Sequence, residues 1–360
     1  MIILNKYKDN IYIYSMDLTK YSKNGYTGLV NLGNTCFLNS SIQVLSHTYE
    51  LQEFFNSGKF NKHIKNIIDS ELLKEYDDLR KVMWSNNGII SPNKFIFNVH
   101  KIARAKDRDV FTGFDQNDMP EFLLFMIDCM HNSVCRPMDV SISGDPKNDI
   151  DNIAIKCYEL IKNVYTKEYS EIMDIFFGIY TTEISSIDKK KIHRIIPEHY
   201  FMLNLPIFSS ECNIYDCLDK FINYEVLEGE NSWFNEDTNK KEDVNKRAIF
   251  WSFPKVLIIV LKRFSEDGKK KNNVLVNCPL KNLKLSNYVK GYNASKYVYD
   301  LFGVCNHMGN LNAGHYTSFV KNINNEWLHY NDEKISNINE KNIITPMSYC
   351  LFYRKKNNLL

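Results

Sequence analysis

Cys36 and His315 are the residues around which a reaction could be built. Cys36 sits in GLVNLGNTCFLNSSIQVL, from Gly28 to Leu45, and His315 in NHMGNLNAGHYTSFVKNINNEWLHYND, from Asn306 to Asp332. A cysteine followed much later by a histidine and an Asn or Asp is the linear form of a thiol hydrolase site, whose partners meet only in the fold. The thiolate attacks, and the imidazole beside it takes the thiol proton and returns it to a leaving group. The imidazole in turn needs an acceptor to hold its tautomer and aim its other nitrogen at the thiol. Asn331 and Asp332, closing WLHYND, are the residues that could supply one if neighbouring antiparallel strands carry them beside His315. A neutral Asn suffices, because a thiolate–imidazolium pair needs orientation more than added negative charge. His307 and His329 have no acceptor pair so placed and read as structural.

The surroundings of Cys36 point the same way. After Gly33, Asn34 and Thr35, the spacing of Leu38, Ile42 and Leu45 at i, i+4, i+7 predicts an amphipathic helix that starts at the cysteine. A helix N-terminus favours thiolate over thiol, and Gly33 permits the tight turn that precedes it. Asn31 can bring its side-chain amide near the Cys36 backbone N–H. Together they would form an oxyanion hole, where one donor is worth on the order of 10²–10³ in rate. Taken alone, the segment also fits a buried cysteine at a helix start, with Asn31 and Asn34 as turn or capping residues.

The elements that must hold these groups fall into two kinds. From Cys36 to about His131 the pattern is mostly helical, and Ile64, Ile68, Leu72, Tyr76, Leu79 and Met83 continue the period through one longer helix. Ser91-Pro92 marks another helix start. The polar stretch from Ser141 to Asp151 reads as a surface loop. After about Glu171 come short β-branched and aromatic runs bounded by turn formers: FFGIYTTEI, HYFMLNLPI, FPKVLIIVLKRF, YVYDLFGVCNH, HYTSFVKN, EWLHYND and YCLFYRK. One helix, Ile214 to Tyr224, interrupts them. Helices first and sheet second predict an α+β architecture with the site between the two parts. Residues 1–27 read as an extension that either adds a strand at Ile11, Tyr12, Ile13 and Tyr14 or stays loosely attached.

Composition removes several classes. The chain has 360 residues, a hydrophobic content of 44% and a charged content of 24%, as in ordinary globular proteins. A net charge of +2 and only short KKK and RKK runs give no nucleic-acid footprint, and the runs read as solvated surface. No stretch approaches the roughly 20 apolar residues of a membrane span, and the first 20 residues lack the apolar core of a secretory leader. Nine cysteines without a repeating pattern fit free thiols in a reducing compartment. The expectation is a soluble intracellular protein of cytoplasm or nucleus. Heavy use of Asn, Ile, Lys and Tyr matches AT-rich codons, as in a parasite or a large virus; for a virus the compartment would be that of the host cell. Oligomeric state is not legible.

Taken together, the motifs resemble those of the ubiquitin-specific protease family of deubiquitinases, from about Gly28 to Lys355. GLVNLGNTCFLNSSIQVL is similar to that family's cysteine box, and NHMGNLNAGHYTSFVKN with EWLHYND to its histidine box. DQNDMPEFLLFMIDCMH, from Asp115 to His131, resembles its glutamine-containing helix start. The resemblance implies a papain-like fold of thumb, palm and fingers over residues 28–356, with a helical thumb at about 28–165 and fingers and palm at about 166–356. It implies Cys36 as nucleophile, His315 as base, Asn331 as third triad member, Asp332 as an assisting residue and Asn31 as oxyanion donor. Ubiquitin and ubiquitinated proteins would be the partners. Gln116, Asp118 and Glu121 match positions that contact the Arg-rich ubiquitin tail, where carboxylates suit guanidinium groups. Gly314, which leaves room for a narrow diglycine channel, and Tyr316 complete the expected substrate-binding set. Asp118 and Glu121 also fit a capping box at the start of a helix.

The chain departs from the family at the fingers. Many members carry two CxxC pairs that hold a structural zinc, whereas here the first pair is missing after Phe177 and Gly178, and Asn235 and Thr238 stand at the second. Cys212 and Cys217 with His193 and His199 have the wrong spacing for a site, and Cys217 fits a buried helix position. No metal and no cofactor are expected. Two alternatives stay open beside a deubiquitinase: a protease for a ubiquitin-like modifier, and a ubiquitin-binding module without catalysis.

Overall fold

The run Val256–Lys262, VLIIVLK, is apolar at almost every position, so it has to be covered on both faces. In the computed structural model, which describes residues 1–6, 18–108, 110–113, 115–265, 267–310 and 313–356, it is an inner strand of an eight-stranded sheet. Seven strands run in the spatial order Lys334–Asn337, Trp327–Asn331, Gly314–Lys321, Val298–Gly309, Ser348–Lys355, Val256–Lys262 and Met202–Pro206. The short strand Leu283–Lys284 pairs beside Val298–Gly309. Neighbours are antiparallel except the last two, which are parallel.

Side-chain alternation divides this sheet between two cores. Val256, Ile258 and Val260 face one, with Cys305, Val320, Leu328 and Phe352. Leu257, Ile259 and Leu261 face the other, with Val304, Phe319, Leu351 and Tyr353. The first core is the palm–thumb contact. It takes helices α1 (Cys36–Ser46), α2 (Tyr49–Asn56), α3 (Asp69–Ser85), α4 (Asn93–Ala105) and α5 (Met119–Val134). The second is closed by a short helix, Ile214–Ile222, whose start is fixed by a capping box between Asn213 and Asp216. The fingers are a four-stranded antiparallel sheet in the order Ile192–Tyr200, Gly178–Ser186, Val244–Ser252, Glu225–Leu227.

Helix α1 differs from its sequence pattern. The spacing predicts one apolar stripe, yet all eleven residues from Cys36 to Ser46 are buried, polar ones included. Ile64 and Ile68 also depart from expectation. The long helix begins only at Asp69, after a 3-10 segment at Lys59–His63, and the two isoleucines pack against the core from outside it. An irregular stretch over residues 64–68 interrupts the helix there while the apolar period carries on. Ser141–Asp151 is not one loop. Val140–Ser143 is a strand, antiparallel to Ile3–Lys6, and a twenty-residue helix, Asp149–Glu168, starts with Asn148 as its cap. Only the residues between them form the exposed turn. Residue 165 lies inside that helix. The N-terminal extension therefore contributes a strand at Ile3–Lys6, with Ile2 buried; Ile11–Tyr14 lie outside the described residues.

Among the described residues no helix is long and apolar enough to cross a membrane. Helix α1 packs closely on the sheet at Gly303, where an added Cβ would lie 2.6 Å from Val44 Cγ1. A side chain there must displace Val44 or the helix that carries it. Gly303→Ala is expected to cost about 1–3 kcal/mol in urea unfolding, as overpacking does.

Candidate active site

The loop before α1 is shaped by Asn31. Its Oδ1 accepts from the backbone N–H of Gly33 at 3.1 Å and of Thr35 at 3.3 Å, bending the chain back on itself. Gly33 and Asn34 take left-handed φ values of 101° and 54°, a turn that glycine and asparagine make at least cost. Cys36 is then the first residue of α1 and is 3% exposed. With Oδ1 committed to the turn, the Asn31 amide nitrogen is left to donate outward, and it does so to Asp332 Oδ2 at 2.9 Å. The oxygen of this side chain fills the turn role, and its nitrogen is bonded to Asp332.

Strand register delivers the second half. Ser318 pairs with Tyr330, so Asn331, one step on, shares the face of Thr317 and, two residues along, of His315. Asn331 Oδ1 accepts a hydrogen bond from His315 Nε2–H at 2.7 Å, which leaves Nδ1 for the thiol. The Cys36 side chain near the same ring does most to raise the imidazolium to about 9 from the ordinary 6.5; Asn331 and Asp332 add to the rise against the effect of burial. Asp332 stands farther off, 4.0 Å from His315 Nε2. Of the two candidates at the strand end, Asn331 is the partner of the base. Asp332 is the partner of Asn31.

The expected substrate-binding residues separate into three kinds. Gln116 spans the two halves: its Nε2 donates to Asn34 Oδ1 at 3.2 Å, and its Oε1 accepts from the Gly314 N–H at 3.0 Å. Asp118 does not cap α5. It makes no capping hydrogen bond, and Glu121 stays exposed on the first turn. The Asp118 carboxylate instead accepts from Tyr316 Oη at 3.1 Å and Tyr349 Oη at 3.2 Å, and burial lifts it to about 6. Tyr316 is 5% exposed and meets Asp118 by its hydroxyl. Gly314 answers to the sheet as well as to any channel, since a Cβ there would sit 2.1 Å from His307 Nε2. His307 is buried against Tyr316, and His329 packs edge-on against Phe319.

Two contributors were not legible from spacing. Tyr349 is the second tyrosine on Asp118, and Asn39, on α1, donates to Asp332 Oδ1 at 2.8 Å. The only sequence cue for Asn39 is its polarity in a helix otherwise committed to the core.

At the fingers, Asn235 and Thr238 both donate to Glu242 Oε1, at 3.0 and 2.5 Å, closing the hairpin of Trp233–Asn235 and Lys240–Glu242. Among the described residues no group of three or more His, Cys, Asp or Glu side chains is set to hold a metal ion. Cys217 is fully buried, with Cys212 Sγ 3.8 Å from its sulfur.

The His315 shift has a direct check. In an NMR titration of the ring nitrogens, His315 should lose its proton near pH 9, and in Cys36→Ala its pKa should fall back toward 6.5 because the largest cause of the rise is gone. An unchanged titration in that variant would remove Cys36 as the cause.

With this geometry in hand, relationships to known proteins can be read. A family model described as ubiquitin carboxyl-terminal hydrolase matches residues 27–353. Ubiquitin carboxyl-terminal hydrolase 2 of Bos taurus is 30% identical over 347 residues, covering 92% of this chain and 55% of the relative. Ubiquitin carboxyl-terminal hydrolase Usp2 of Drosophila melanogaster is 31% identical over 338 residues, covering 92% and 35%. The chain thus spans about a third to a half of the length of these curated relatives. Among solved structures, the SAGA Ubp8/Sgf11/Sus1/Sgf73 DUB module bound to ubiquitin aldehyde is similar in fold, with a TM-score of 0.71 at 22% identity, covering 95% of this chain and 72% of that one. The papain-like thumb, palm and fingers are therefore its architecture, and the chain belongs to the ubiquitin carboxyl-terminal hydrolase family.

Proposed function

We propose that this chain is a deubiquitinating thiol hydrolase that cleaves the isopeptide or peptide bond after the C-terminal glycine of ubiquitin. One observation carries the reading: Asn331 holds His315 at 2.7 Å, with the Cys36 side chain near enough to the same ring to be the largest cause of its raised pKa. In the mechanism, His315 takes the Cys36 proton, and the sulfur attacks the glycine carbonyl carbon. Charge gathers on the carbonyl oxygen, where the Asn31 amide and the Cys36 backbone N–H would stabilise it. As the tetrahedral intermediate collapses, the imidazolium gives its proton to the departing amine, leaving a thioester on Cys36. His315 then draws a proton from water, which attacks the thioester and releases the ubiquitin carboxylate.

Gln116, Asp118 and Glu121 are assigned to the substrate tail. The Asp118 carboxylate, steadied by two tyrosine hydroxyls, suits a guanidinium, and it bears charge only above about pH 6. Its pKa is raised, so lowering the pH through 6 protonates it and removes the attraction. Expected outcomes are a KM that rises as pH falls through this range, and an Asp118→Asn variant with a raised KM and no such pH dependence.

The central test reacts the protein with ubiquitin carrying a C-terminal electrophile, alongside Cys36→Ala. The expected result is a covalent adduct in the unsubstituted protein and none in the variant, with hydrolysis of a ubiquitin fluorogenic substrate lost in step. An adduct only with a ubiquitin-like modifier would redirect the reading to that substrate. Tight binding of ubiquitin without adduct or turnover would make the chain a binding module.

A further inference from the structure

We propose that Asn39 is a positioning residue for the oxyanion-stabilising amide of Asn31, an inference that rests on the thiol-hydrolase reading above. Asn39 lies one turn into α1 and is 2% exposed. Its Nδ2 meets three acceptors: Asp332 Oδ1 at 2.8 Å, and the backbone oxygens of Leu29 and Val30, each at 3.3 Å. Its Oδ1 is buried and has no partner among the described residues. Turning the amide over would set that oxygen against a carboxylate and two carbonyls, so the orientation is fixed by what surrounds it.

These contacts hold Asn31 from both sides. Leu29 and Val30 are the residues that lead into Asn31, and Asn39 grips their carbonyls. Asp332 is the acceptor of the Asn31 amide, and Asn39 grips its other oxygen. Asp332 needs such a hold. Its φ is +51°, in the left-handed region, and its backbone oxygen also accepts from Leu29 N–H at 3.0 Å. A carboxylate bonded at both oxygens cannot rotate, and an amide bonded to it points one way. Because Asn39 and Cys36 stand on the same helix, the donor's direction is referred to the nucleophile's own scaffold. Rigid support of this kind decides whether a donor stabilises the developing charge or merely sits near it.

The test compares Asn39→Ala, Asn39→Asp, Asn31→Ala and the Asn31→Ala/Asn39→Ala double variant. The aspartate variant is close in size and keeps the test alive if the alanine variant unfolds. On a ubiquitin fluorogenic substrate, kcat should fall about 10–100-fold in either Asn39 variant while KM stays within about twofold. Alkylation of Cys36 by iodoacetamide, which needs the thiolate but forms no oxyanion, should keep its rate. The double variant should lose no more than Asn31→Ala alone. Unchanged kcat in a folded Asn39 variant, alkylation that falls together with kcat, or losses that add in the double variant would each overturn the inference. A protein without turnover before any substitution would instead overturn the hydrolase reading, and this inference with it.

Discussion

Helix α1 has no face toward solvent, and that constraint governs the rest of the site. A wholly buried helix holds its first residue still, which is what an attacking sulfur requires. It also obliges every polar side chain on it to find a partner inside the protein. Ser40 and Ser41 return to the Phe37 carbonyl, Gln43 reaches the Thr27 carbonyl at 2.7 Å, and Ser46 bonds back to Gln43. Each bond either tightens the helix or ties it to the strand Thr27–Leu29 that runs into the loop of Asn31. The helix is thus fixed along its length by these bonds, while the amide oxygens of Asn39 and Gln43 stay buried without a partner among the described residues.

Polar atoms then divide the labour across the cleft. Asn31 uses its oxygen for the turn and its nitrogen for Asp332, while Gln116 joins the cysteine loop to the histidine strand with both ends of its amide. Side-chain amides suit this work because they donate and accept at once and carry no charge that must be neutralised. The charged groups are fewer and better insulated. Asp332 is nearly covered, and Asp118 is surrounded by tyrosine hydroxyls. In the fingers the same economy appears: Glu242 gathers Asn235 and Thr238, and Arg194 reaches Asp237 at 3.0 Å across to the neighbouring hairpin. These exposed links are weaker than metal ligation and are screened by salt.

What could be read from the chain alone was whatever depends on neighbours in sequence. The start of α1 at Cys36, the strand runs from Gly178 onward and the helix expected from Ile214 to Tyr224 are local patterns, and they appear in the structure, the last ending two residues earlier at Ile222. Asp118 shows the limit. Three residues ahead of Glu121 it satisfies a local rule for capping, but tyrosines 198 and 231 positions away claim its carboxylate instead. Asn39 is similar, with a partner 293 residues distant. Ile64 and Ile68 kept the helical period because burial, which continues past the break, is what periodicity reports. The full burial of α1 escaped notice for a like reason: serines and asparagines look solvent-facing until their internal acceptors are known.

The order of the pieces along the chain carries its own consequence for biogenesis. Asn31, Cys36 and Asn39 leave the ribosome early, His315 and Asp332 late, and the strand Ser348–Lys355 later still, although it lies in the middle of the sheet between Val298–Gly309 and Val256–Lys262. At roughly 5–20 residues per second, the thiol precedes its base by about 15–60 s. A nascent chain therefore carries a sulfur with no imidazole beside it and a half-built sheet beneath. The Cys36–His315 pairing can form only after both segments have emerged, and the sheet beneath it is complete only once Ser348–Lys355 takes its central place.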